Sequence, residues 1–116
     1  MSWINCKVDE DYEIFTEFPY DIRKKKNGEI VKESVNKYDG YVHVSLNNVQ
    51  HLKHRIVAVH FLPNDQPLIK TFIDHINYDR TDYHIENLRW ATRKENDLNK
   101  QLQIYFIKLK RLYEFD

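Results

Sequence analysis

Cysteine occurs once in the 116 residues, at Cys6. That excludes an internal disulfide and any zinc site built on paired cysteines, and makes a reducing, intracellular setting (cytoplasm or nucleus) the expectation. With two glycines and three prolines, the chain has no flexible linker and no low-complexity segment. It also lacks net charge, because eighteen basic residues balance eighteen acidic ones. A global basic field, the usual basis of strong non-specific binding to a polyanion, is therefore absent. Local runs remain, at Arg23-Lys24-Lys25-Lys26 and at Lys108, Lys110 and Arg111. No apolar run approaches the roughly 20 residues that cross a bilayer, so no membrane partner is expected, and the first residues, MSWINCKVDEDYE, lack a signal-peptide pattern. The length suits one small domain.

The patterning that is present predicts an α+β chain. Residues 12–16 and 20–23 read as short strands, and Asn27-Gly28 is a hairpin signal between 21–25 and 29–35. Asp39-Gly40 is a second turn, leading into 41–45, where Val42 and Val44 share a face. An N-terminal antiparallel sheet of three or four strands is expected. From Leu52 to Leu62 the apolar period becomes helical and Pro63 marks the stop. Residues 70–75 and 87–90 read as two strands around a long polar loop. Thr92-Arg93-Lys94-Glu95 fits a capping box, opening a helix that runs to about 113. Along it Leu98, Leu102, Tyr105, Leu109 and Leu112 recur at steps of four and three, widened by Phe106 and Tyr113. This stripe is expected either to pack on the body of the domain or to serve as a homodimer seam or partner-docking helix over 98–112.

The chemistry concentrates between Asp74 and Asn96. An acid, an imidazole and two amides (Asp74, His75, Asn87, Asn96) at strand–loop–strand–helix spacing are the parts of a one-metal phosphodiester-cleaving site. Histidine takes a proton from water near neutral pH. A hard cation such as Mg2+, or Mn2+, bridges a phosphate and its leaving oxygen and prefers oxygen ligands, of which Asp74 supplies a charged one and Asn96 a neutral one. In a regular strand Asp74 and His75 point to opposite faces, so the strand must end or bulge there for both to reach one phosphate. The dipole and free N–H groups at the start of the second helix also favour a phosphate.

These residues resemble the HNH homing endonucleases of the ββα-metal type, whose core pattern is close to HIDGNKTNNRIENLEW. Residues 75–90, HINYDRTDYHIENLRW, align with it without a gap. The flanks agree: HRIVA at 54–58 resembles HRLVA, FLPN at 61–64 resembles FIPN, and ATRKEN at 91–96 resembles VTRSEN. Trp3-Ile4 and Tyr12-Glu13-Ile14 are similar to the N-terminal module that often accompanies these nucleases. The resemblance implies a β-rich module at 1–50, a ββα-metal core at 51–100 and a helical extension at 101–116. It further implies a divalent-metal-dependent endonuclease acting on duplex DNA, with His75 as general base, Asp74 and Asn96 as metal ligands, and Asn87 as the middle residue that orders the loop. A viral or mobile-element source would be in keeping. Candidate nucleic-acid contacts are Arg23, Lys24 and Lys25 in the hairpin, His54 and Arg55 on the short helix, and Arg80 and Arg93. Tyr78 replaces the family's turn glycine, and Asp82 and Tyr83 replace two loop asparagines. Acidic replacements beside a phosphate path would repel DNA, which sustains a competing expectation: a catalytically inactive descendant that binds nucleic acid or a ribonucleoprotein structurally.

Overall fold

The computed structural model describes residues 1–113. In chain order the elements are β1 (Trp3–Asn5), β2 (Tyr12–Phe15), β3 (Ile22–Lys24), β4 (Glu33–Val35), β5 (Val42–Leu46), β6 (Val49–Leu52), α1 (Lys53–Phe61), β7 (Phe72–His75), a 3-10 turn (Ile85–Asn87), β8 (Leu88–Ala91) and α2 (Arg93–Tyr113). All sheets are antiparallel and the class is α+β, as the sequence predicts. The N-terminal half, however, divides into two three-stranded sheets, β1-β2-β3 and β4-β5-β6, rather than one of three or four strands. The hairpin expected around Asn27-Gly28 shrinks to a single bridge between Arg23 and Ile30, and Glu33–Val35 pairs instead with β5. Asn47 and Asn48, both with positive φ (48° and 65°), turn β5 into β6. Paired asparagines tolerate this left-handed turn, which twists as a hairpin requires.

One apolar core joins the halves. Ile14 and Ile22 from the first sheet and Val44 and Leu46 from the second pack with Ile56, Val57 and Ala58 of α1 and Ile73 and Leu88 of β7 and β8. Helix α1 thus lies between the N-terminal sheets and the β7–β8 hairpin, and α2 packs on that hairpin too. The capping box at the start of α2 forms in both directions, with the Glu95 N–H donating to Thr92 Oγ1 at 3.2 Å and the Thr92 N–H to Glu95 Oε1 at 2.9 Å. That reciprocal pair of hydrogen bonds fixes where α2 begins and therefore where Asn96 falls. Only the first turns of α2 are covered. Leu98, Leu102, Tyr105, Phe106, Leu112 and Tyr113 are exposed, so the apolar stripe does not pack along its length on the body of the domain.

The largest fully buried side chain among the described residues is charged. Lys53, 1% exposed, directs Nζ to the Tyr20 carbonyl (2.7 Å) and to Glu33 Oε2 (2.5 Å). The Tyr83 hydroxyl donates to the other Glu33 oxygen at 2.6 Å, and the Ile85 N–H donates to the Tyr20 hydroxyl at 3.1 Å. Burial pulls the Lys53 pKa down and Glu33 pulls it back up. This network binds β4, α1, the turn before β3 and the loop before β8. Removing one partner of a buried pair leaves the others unsatisfied and typically costs about 3 kcal/mol or more. Lys53→Ala is therefore expected to lower the urea midpoint by an amount equivalent to about 3 kcal/mol; an unchanged midpoint would contradict this role.

Candidate active site

Strand β7 pairs in register with β8, Asp74 opposite Arg89 and His75 opposite Leu88, and it ends at His75. A tight turn follows, in which the Tyr78 N–H donates to the His75 carbonyl at 3.0 Å. Pleating separates the two neighbours, and the strand end lets both reach one cleft. Asp74 shares its face with Arg89 and lines the cleft with Asn96, Asn99, Lys100 and Gln103 of α2. The His75 ring lies against the His54 ring of α1 (centroids 4.6 Å apart) and the Tyr41 ring (5.6 Å). Asp74, His75, Asn96 and Arg80 line the same cleft.

The electrostatics suit a base and a ligand set. Burial pulls the His75 pKa below the usual histidine value, and Asp79 and Asp82 pull it partly back. Burial, the neighbouring His75 and Arg55 bring His54 down to about 3. Both rings are therefore neutral near pH 7. Asp74 is 2% exposed, and its Oδ1 is buried without a hydrogen-bond partner. Asn96, 7% exposed, makes no side-chain hydrogen bond among the described residues. An unpartnered carboxylate oxygen and an uncommitted amide on one cleft fit a hard divalent cation such as Mg2+ or Mn2+. Among the described residues no cluster of three or more His, Cys, Asp or Glu could hold a metal. Water and substrate would have to complete the shell, as is usual for Mg2+ at phosphates.

Asn87 faces the loop. Its Oδ1 accepts from the Asn77 N–H at 2.9 Å, while Nδ2 donates to Asn77 Oδ1 and to the Asp82 carbonyl, both at 2.9 Å. The loop acids are likewise engaged internally. Asp79 Oδ1 accepts from the Thr81 N–H and hydroxyl, and Asp82 accepts from Asn77 Nδ2 and pairs with His84 at 2.7 Å. His84 in turn stacks on Phe18 at 3.5 Å. Tyr78 holds the turn with φ +65°, a conformation that usually favours glycine. Its carbonyl accepts from Gln103 at 3.2 Å and its ring lies 5.9 Å from Phe106, so α2 supports the strained residue.

The other sequence candidates, Arg80 apart, lie away from this cleft. His54 is 6% exposed behind His75, so it has no open surface to offer a nucleic acid, because its place on α1 turns it into the interior. Arg80 donates to the Asp39 carbonyl at 2.8 Å and lies over Tyr41 at 5.1 Å. Arg23 pairs with Glu13 (3.0 Å) and covers Trp3 (4.0 Å). Lys24 and Lys25 line a groove with Asn47 and Asn48, and Arg55 another with Lys70 and Trp90. Arg93 is exposed at the start of α2. Sequence reading missed Tyr41, Lys53, Arg89, Asn99 and Lys100. Of these, Asn99 and Lys100 could have been found by projecting Asn96 along its helix face by three and four residues.

The family model for HNH endonucleases matches residues 51–98. Those residues form an HNH endonuclease domain. An uncharacterised HNH endonuclease of Acanthamoeba polyphaga mimivirus is 33% identical over 100 residues, covering 72% of this chain and 29% of the relative. A second from the same virus is 46% identical over 43 residues, covering 37% and 11%. The chain thus spans less than a third of the length of these curated relatives. In fold it is similar to the HNH homing endonuclease I-HmuI, solved in a study of that protein's DNA binding and cleavage, with a TM-score of 0.70 and 24% identity over 96% of this chain and 67% of that one. The comparisons thus show an HNH endonuclease family match over residues 51–98 and a shared fold over most of the chain. No helix among the described residues is long and apolar enough to cross a membrane.

The buried imidazoles give HNH-domain stability a defined pH dependence. With a folded-state pKa of about 3 for His54, against about 6.5 unfolded, only the unfolded chain takes up this proton between those values. The stability is intact above pH 6.5 and is lost as pH falls toward 3, by up to about 1.4 kcal/mol per pH unit, with a further share from His75. Between pH 6.5 and 5, above the usual carboxylate range, urea midpoints should fall for the wild type and fall less for His54→Gln. A flat wild-type profile would contradict neutral burial of the pair.

Proposed function

We propose that this chain is a divalent-metal-dependent HNH endonuclease that hydrolyses phosphodiester bonds of duplex DNA, in the manner of a homing endonuclease. The observation that carries the reading is the convergence of a neutral, buried His75 with the unpartnered Asp74 Oδ1 and the uncommitted Asn96 amide on one cleft. His75 acts as general base and takes the proton of the attacking water, which requires the neutral ring that burial favours. Asp74 and Asn96 hold Mg2+ or Mn2+. A cation bound there would neutralise charge on the scissile phosphate and the leaving oxygen. Asn87 fixes the 77–82 loop beside His75 through its three hydrogen bonds. Tyr41 and His54 confine the His75 ring and exclude water behind it.

DNA would lie along the cleft, with Arg80 and Lys100 nearest its phosphates. Arg93 and Arg55, and the hairpin residues Arg23, Lys24 and Lys25, lie at other surfaces and would meet the backbone farther from the scissile bond. Neutral net charge, the lost turn glycine and acidic replacements in the loop are grounds for the inactive reading. Asp79 and Asp82 are committed to the loop's own hydrogen bonds, which favours the catalytic reading.

With Mg2+ or Mn2+ present, His75→Ala is expected to reduce nicking or cleavage of duplex DNA by at least about 100-fold, the usual worth of a general base. Its DNA affinity should change little, since the ring is buried. Undiminished metal-dependent cleavage by His75→Ala would eliminate the assignment.

A further inference from the structure

Arg89 lies directly across the strand pair from Asp74 and places two N–H groups on one oxygen of that carboxylate, Nη2 at 3.0 Å and Nε at 3.3 Å from Oδ2. Half of the Arg89 side chain is exposed, whereas Asp74 is 2% exposed. The remaining oxygen, Oδ1, is buried and unpartnered. The chain's own cation therefore engages one side of the carboxylate and cancels its charge, while the other side remains open as a donor. Asn96, the second proposed donor, is neutral. The same cleft is lined by Arg80 and Lys100, and Asp74 is the only acid among its lining residues. Arg89 stands where the family pattern quoted above has glutamate, so the sign of the charge beside the ligand is reversed in this chain.

We propose that Arg89 keeps the nucleic-acid-free cleft a weak cation binder, so that a divalent ion is retained only when a phosphodiester backbone adds its negative charge. This rests on the reading of Asp74 and Asn96 as ligands. The physical reason is charge balance. A divalent ion beside a single carboxylate that is already paired meets a like charge across the ligand, in a site where burial weakens solvent screening. A backbone phosphate reverses that balance and supplies further oxygen ligands. Metal loading and substrate binding then become mutually dependent, each strengthening the other by the same factor. An ordinary scaffolding role for Arg89, holding Asp74 Oδ1 toward the metal, makes the opposite prediction, because loss of the guanidinium would then weaken metal binding.

The test is a Mn2+ titration of the full chain without nucleic acid, following the free-ion signal by electron paramagnetic resonance, with circular dichroism confirming the fold of each variant. Arg89→Gln is expected to bind Mn2+ about tenfold more tightly than wild type, the scale of removing one like charge beside a bound ion. Arg89→Lys, which keeps the charge, should stay within about twofold of wild type. A mixed-sequence DNA duplex should tighten wild type more than Arg89→Gln. Equal or weaker binding by Arg89→Gln, still abolished by adding Asp74→Asn, overturns the inference and leaves the ligand assignment standing. Tight binding that persists in the Arg89→Gln, Asp74→Asn double variant overturns the ligand assignment itself. Absence of Mn2+ binding in every variant overturns both.

Discussion

A lysine ammonium with almost no access to water holds the two halves of this molecule in register. Lys53 stands at the start of α1, and its Nζ meets the Tyr20 carbonyl and the Glu33 carboxylate under the ring of Tyr83, 5.3 Å away. These partners come from the N-terminal segments and from the loop that carries the candidate site. A buried charge is tolerated only when its hydrogen-bonding capacity is met. The segments around Tyr20, Glu33 and Tyr83 must therefore arrive together, which couples the N-terminal sheets to the far end of the 76–86 loop. The β-rich half is thus part of the site's support, and its Tyr41 forms a wall of the cleft.

Within that frame, strand alternation divides the chemistry. The face of β7 that carries Asp74 meets Arg89 and the Asn96 end of α2, while the next residue, His75, is pressed against α1 and Tyr41. The carboxylate and the imidazole are both buried, but they meet different neighbours although they are adjacent in sequence. A carboxylate offered to a cation and a neutral nitrogen offered to a proton want different surroundings, and opposite faces of one strand supply them. The loop between the strands tightens around its own acids. Asn77, Asp79, Asp82 and Asn87 bond to one another and to nearby backbone, so carboxylates that look repulsive in the sequence serve as turn caps.

Local signals were legible in the sequence. The Thr92–Glu95 capping box, the helix stop at Pro63 and the apolar periods of α1, β5 and α2 depend on residues a few positions apart, and each appears close to where those residues place it. The two-sheet division of the N-terminal half was not legible. Its strands are only three to five residues long, and their pairing is decided by contacts such as Glu33 opposite Val44. The same limit concealed the Lys53 network and the Arg89–Asp74 pair, which join residues 15 to 65 positions apart. The sequence alone does not assign the helix face of His54, which only the packing of α1 against β7 turns inward. The stripe on α2 was visible as a period, but periodicity alone could not show that most of it would stay exposed.

The central claim is that Asp74 and Asn96 hold one divalent ion at a phosphate beside His75. It is tested most directly by an anomalous diffraction map of the protein crystallised with a DNA duplex and Mn2+. The account predicts a single Mn2+ peak within coordination distance of Asp74 Oδ1 and the Asn96 side-chain oxygen, with a backbone phosphate oxygen completing its shell. A peak elsewhere on the molecule, or DNA seated with no ion at Asp74, would contradict it.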